Sequence, residues 1–232
     1  MNIEVLADAG SVAGKAASII LDHALAAIDA HGSFVMAVSG GHTPWLMLRK
    51  LADAPVPWNA VHIFQVDERV APAGHPDRNL THLRESLLNH APLPPDQLYP
   101  MPVDLPDLEA GASKYAATLK RIAGEPPILD LVHLGLGSDG HTASLVPGDP
   151  VLDIDDKDVA LSGPYQGRQR MTLTYPILNR ARQVLWVVTG GDKVGMVNRL
   201  LDGDRSIPAG RVSRFRALML ADLAAAAAVP TK

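Results

Sequence analysis

The sequence has no cysteine. Disulfides, thiol catalysis and Cys-ligated zinc or iron–sulfur sites are therefore excluded. It has no surplus of positive charge: 21 Lys and Arg stand against 25 Asp and Glu, a formal net charge of −4. The electrostatic footprint of a nucleic-acid binder is missing. No uninterrupted apolar run reaches the ~18 residues that cross a bilayer, and Met1–Val5 lacks the basic-then-apolar layout of a signal peptide. Nine histidines are present, but none falls in an H-x-H, H-x₃-H or H-E-x-x-H spacing on a predicted helix, which argues against a metal. What is there is ordinary globular material, 47% hydrophobic and 20% charged over 232 residues. A chain of that size buries a substantial core unaided. It is expected to form one domain over residues 1–232.

Apolar runs alternate with helical periodicity along the chain. Ile3–Leu6, Phe34–Val38, Val61–Val66 and Leu129–Leu134 read as strands, with further candidates at Val159–Ser162, Arg170–Tyr175 and Gln183–Thr189. Val12, Ala16, Ile19, Ile20 and Ala24 share one helical face. Thr43 reads as a helix cap with Pro44 at the first helical position. Helices are also predicted over Arg78–Asn89, Asp107–Ile122, Gly191–Leu201 and Arg214–Ala228. The last rests on the alanine run 224–228 and the helix propensity of alanine. The Pro-rich stretch from Pro92 to Pro106 reads as a connector with a short strand near Tyr99. Strands without polar alternation, joined by helices, predict an α/β fold: a Rossmann-like, doubly wound, mostly parallel sheet with helices on both faces.

In such sheets ligands bind beyond the carboxyl ends of the strands, near a topological switch point. Four polar clusters follow predicted strands: Ser39–Thr43, Asp67–Arg69, Asp139–His141 and Gly190–Lys193. The first sets glycines and hydroxyls before a helix N-terminus, a ready anion site whose plain alternative is a capping turn. Lys193, in the first turn of its helix, opposes the dipole unless an anion is bound. Arg170 opens its strand, where a guanidinium can grip a phosphate bidentately. Together these suggest a phosphorylated ligand. In Asp67-Glu68-Arg69, strand alternation puts Asp67 and Arg69 on one side and leaves Glu68 for a structural ion pair. Gly135-Leu136-Gly137-Ser138-Asp139-Gly140 spells the dinucleotide fingerprint, but no long helix opens after it before Pro147-Gly148, so no nicotinamide cofactor is expected. The segment does set His141 beside Asp139 on a glycine turn, a base for water with a carboxylate to orient it.

The segment Gly135–Gly148, with Ser39–Pro44, Asp67-Glu68-Arg69 followed by Asn79, Arg170-Met171-Thr172 and Gly190–Lys193, resembles the 6-phosphogluconolactonases in motif content and order. The resemblance runs from about Ile3 to Ala228. It implies a fold shared with glucosamine-6-phosphate deaminases and ribose-5-phosphate isomerases. It also implies hydrolysis of a sugar-phosphate lactone without metal or cofactor; a cytoplasmic location and a monomer or weak homo-oligomer are expected. Carried onto these positions, it implies a phosphate site of Gly40, Gly41 and Thr43 with Arg170 and Lys193. Asp67 would hold sugar hydroxyls, Ser39 and Asn79 would be further substrate-binding residues, His141 would be the base oriented by Asp139, and Arg69 with nearby N–H groups would stabilise the oxyanion. His42 departs from the usual serine. A deaminase is the nearest alternative, but its family carries an acid before Pro-Gly where this chain has Val146, and its isoleucine–alanine–phenylalanine stretch is Thr142-Ala143-Ser144 here. A non-catalytic phosphosugar-binding module is the third reading, and no basic DNA-binding segment accompanies it here.

Overall fold

The computed structural model describes residues 1–229. In chain order the strands and helices are β1 (Asn2–Leu6), α1 (Ala9–His31), β2 (Phe34–Val38), α2 (His42–Ala52), β3 (Val61–Gln65), β4 (Asp67–Arg69) and α3 (Asn79–Leu83). There follow β5 (Leu98–Tyr99), α4 (Leu108–Ala123), β6 (Leu131–Leu134), β7 (Val159–Tyr165), β8 (Arg168–Leu173), α5 (Tyr175–Arg180), β9 (Val184–Val188), α6 (Val194–Asp202) and β10 (Ala217–Asp222). Local chemistry sets the ends of the longer helices. Asp8 accepts from the Ser11 N–H at 2.7 Å to start α1, and Gly32 ends it at φ 87°. Asp107 starts α4 in the same way, accepting from Ala110.

Seven strands form a parallel sheet in the order β1-β10-β9-β6-β2-β3-β5. Both of its faces are covered, which explains strands with no polar alternation. Along β2, Phe34, Met36 and Val38 pack with residues of α1, α2 and α3, while Val35 and Ala37 pack with residues of α4, α5 and α6. By length and composition α1 is apolar enough to cross a bilayer. In this fold its stripe of Val12, Ala13, Ala16, Ile20 and Ala24 is buried in the core shared with α2 and the sheet.

Three expectations are corrected. The C-terminal helix over Arg214–Ala228 is absent: Ala217–Asp222 is instead β10, between β1 and β9, and turns follow. Two parallel neighbours outweigh helix propensity, which tertiary context overrides even for alanine. Asp222 then stops the strand by accepting from the N–H groups of Ala225 and Gly190. Thr43 does not cap α2; Gly41 occupies the cap position at φ 133°, and Thr43 lies inside the first turn. Arg170 does not open its strand but is the third residue of β8, which belongs to a separate antiparallel sheet in the order β4-β8-β7.

Candidate active site

The chain builds the seven-stranded sheet outward in two directions. From β2 it proceeds to β3 and β5; from β6 it proceeds to β9 and β10. The switch point lies between β2 and β6, and a cleft opens beyond their carboxyl ends, lined by Ser39 and Gly40 from one and by Gly135, Leu136 and Gly137 from the other. Ser39 is tied to β6 twice: its N–H donates to His133 Nδ1 at 3.2 Å and its hydroxyl to the His133 carbonyl at 3.1 Å. Burial drives the His133 imidazole down to about 3, so it stays neutral and keeps Nδ1 available as the acceptor. Gly40 makes room for a neighbour. A Cβ there would lie 2.1 Å from Asn79 Oδ1.

The loop after β6 is a tight glycine turn. The Gly137 N–H donates to the His141 carbonyl at 2.8 Å, and Gly140 takes φ 85°. This folding brings Asp139 Oδ1 to 2.6 Å from His141 Nδ1 and 3.1 Å from the His141 backbone nitrogen. A carboxylate only accepts, so Nδ1 carries the proton and Nε2 is left as the base. Tyr165 donates to the other carboxylate oxygen at 3.0 Å. Burial alone would raise Asp139, but the His141 N–H groups and the tyrosine hydroxyl outweigh it and hold the carboxyl below its ordinary range.

The second sheet forms another wall. β3 runs past Val66 into β4, and β4 pairs with β8 so that Asp67 faces Thr172 and Arg69 faces Arg170. Asp67, Arg69 and Arg170 line the cleft. Glu68 points the other way, fully buried, with its carboxylate accepting the N–H groups of Asn79 and Leu80 and pairing with the equally buried Arg78 at 3.2 Å. That arrangement anchors the start of α3 and so places Asn79, whose amide donates to the Asp67 carbonyl at 2.9 Å. Ser144 donates to Asp67 Oδ2 at 2.6 Å. The Nε atoms of Arg69 and Arg170 and the Oδ1 of Asn79, all on residues that line the cleft, are buried without a partner. Burial, then the neighbouring Arg69, lowers the Arg170 pKa, a cost that an anionic ligand between the two would offset. Lys193 completes the positive side, paired at 2.8 Å with Asp192.

A sequence-family profile described as glucosamine-6-phosphate isomerases/6-phosphogluconolactonase matches residues 7–220. The chain belongs to this family. It is 40% identical over 171 residues to a 6-phosphogluconolactonase of Synechocystis, covering 72% of this chain and 71% of that protein. It is 34% identical over 244 residues to a 6-phosphogluconolactonase of Mycobacterium tuberculosis, covering 99% of both chains. The crystal structure of a 6-phosphogluconolactonase from Thermotoga maritima superposes with a TM-score of 0.86 at 26% identity, covering 95% of this chain and 99% of that one.

In this member of the glucosamine-6-phosphate isomerase/6-phosphogluconolactonase family, most of the residues singled out from sequence converge. Ser39, Gly40, Asp67, Arg69, Asn79, His141, Arg170 and Lys193 line one cleft, with Asp139 directly behind His141. Gly41 and Thr43 do not line it. Gly41 serves as the cap of α2, and the buried Thr43 hydroxyl is 2.7 Å from that of Thr189. Lys193 sits in a 3₁₀ turn, Gly191–Lys193, at the cap position of α6 and not inside the α-helix. Sequence reasoning missed Ser144, Ala143 and Tyr165. Ser144 and Ala143 stand in the motif that carries His141, whereas Tyr165 lies 24 residues beyond it. Among the described residues no group of three or more His, Asp or Glu side chains is placed to hold a metal ion.

Proposed function

We propose that this chain hydrolyses 6-phospho-D-glucono-1,5-lactone to 6-phospho-D-gluconate, acting as one domain in the cytoplasm in the pentose phosphate pathway. The observation that carries the reading is a single cleft with the His141–Asp139 pair on one side and Arg69, Arg170 and Lys193 on another. His141 Nε2 takes a proton from water as the water oxygen attacks the lactone carbonyl. Arg69 receives the developing oxyanion. The carbon–oxygen bond of the ring then breaks, and the imidazolium returns its proton to the departing ring oxygen. The product is the open-chain acid, with no net change in the enzyme. Arg170 and Lys193 hold the phosphate, with Ser39 and the N–H of Gly40 beside them. Asp67, fixed by Ser144 and Asn79, accepts from sugar hydroxyls.

Lys193 tests the phosphate assignment. A charge-assisted hydrogen bond is worth ~1.5–3 kcal/mol. Lys193→Ala is expected to lower kcat/KM for the phosphorylated lactone by about 10- to 150-fold. A variant matching the wild type on that substrate would mean that the phosphate sits elsewhere.

Isomerisation of glucosamine 6-phosphate, the other activity named for the family, and the deamination coupled to it need proton transfer to open and isomerise the sugar ring. The residue before Pro147 is Val146, buried and without a titratable group. The deciding experiment supplies the lactone and glucosamine 6-phosphate to the same preparation in the presence of a strong chelator. Lactone hydrolysis should proceed undiminished, with no ammonia released from the amino sugar. Ammonia release at a comparable rate would overturn the assignment.

A further inference from the structure

Tyr165 has no task in the roles given above, yet the fold aims it at the reacting group. It ends β7, and the turn that follows, Gln166-Gly167, takes positive φ at both positions, 51° and 76°. This is the two-residue turn whose twist suits adjoining antiparallel strands. The β7–β8 register shifts between Ser162 and Tyr165, and an irregularity of this kind re-aims a side chain. Here the tyrosine hydroxyl donates to Asp139 Oδ2 at 3.0 Å and lies 3.5 Å from His141 Nδ1. Its ring meets the imidazole edge-on with centroids 5.2 Å apart. The Arg170 guanidinium lies 4.9 Å from the ring centroid and donates to the Tyr165 carbonyl at 3.3 Å.

Both His141 contacts to Asp139 fall on one oxygen, Oδ1. With nothing on Oδ2, the carboxylate would be free to rotate and exchange its oxygens, and the imidazole would lose its fixed orientation. Building on the lactonase reading, we propose that Tyr165 is a positioning residue: its hydroxyl locks Asp139 so that Oδ1 stays on Nδ1 and Nε2 stays aimed at the water. The same bond draws charge from the carboxylate. Removing it concentrates negative charge on Oδ1, favours the imidazolium, and keeps the base protonated to a higher pH. The other charged groups lining the cleft with His141 are Asp67 and Arg69 from β4, Arg170 from β8 and Lys193 ahead of α6. A change confined to the tyrosine hydroxyl leaves all four in place.

Tyr165→Phe is the test, because it keeps the half-buried ring and both of its ring contacts. Turnover should fall about 10-fold, the scale of one hydrogen bond to a charged group, with KM little changed. The acid limb of kcat/KM should move up by about half a pH unit. In an Asp139→Asn background the same substitution should change kcat by less than about twofold, since the hydroxyl acts through that carboxylate. An unmoved acid limb, or an equal loss in both backgrounds, would overturn the proposal. NMR titration of the His141 ring in wild type and Tyr165→Phe, without substrate, separates this inference from the activity on which it builds. A higher midpoint in the variant beside an inactive wild type would overturn the lactonase reading and leave the tyrosine's effect standing. Equal midpoints beside an active wild type would overturn the tyrosine's role alone.

Discussion

His141→Ala is expected to lower kcat by ~10²–10⁴-fold, the usual contribution of a positioned general base. Water at neutral pH is a poor nucleophile, and Nε2 of His141 is the one imidazole nitrogen in the described cleft with its partner nitrogen fixed by a carboxylate. Substrate affinity should survive, because the cations assigned to the phosphate lie on other elements. His42, the other histidine at a strand end, is exposed at the start of α2, so His42→Ala should cost far less. Both variants are compared by turnover after the spontaneous opening of the lactone has been subtracted. Near-normal turnover in His141→Ala, or an inactive His42→Ala, would mean that the base is another group.

Gly137→Ala should come close to the same loss without replacing a reacting group. The backbone at Gly137 lies outside the left-handed region, so alanine is tolerated conformationally. The added Cβ, however, would lie 2.1 Å from His141 Nδ1, 2.4 Å from its Cε1 and 2.6 Å from Asp139 Oδ1. No arrangement keeps those atoms in place, so the imidazole and its carboxylate must both move. A displacement of about 1 Å at a reacting group costs on the order of 10²-fold. The expected result is a kcat reduced by ~10²-fold or more. Retained turnover would show that the close packing of Gly137 on the dyad is not needed for catalysis.

The fold was largely legible because its strands follow one rule. Phe34–Val38 and Val184–Val188 are apolar at every position, the pattern of a sheet covered on both faces, and both lie in the parallel sheet. The residues after β2 and β6 were legible for the same reason, since the switch point puts strand ends of that kind together. Two features were hidden. The alternation of Asp67-Glu68-Arg69 and the ion pair of Glu68 were legible, but not the pairing of this segment with β8 in a second, antiparallel sheet. Residues 217–222 read as part of a helix because of the alanines that follow them, and it is β1 and β9 on either side that make them a strand. Tyr165 belongs with these. The strand candidate at Val159–Ser162 stopped short of it, and the Gln166-Gly167 turn that turns the chain back was the one local signal of a hairpin there.

The most direct measurement is the time course of 6-phospho-D-glucono-1,5-lactone followed by ¹³C NMR with catalytic amounts of the wild-type protein. The account predicts that the lactone carbonyl signal gives way to the free carboxylate at a rate proportional to protein concentration and well above the spontaneous rate. A time course that coincides with spontaneous opening at every protein concentration would contradict it.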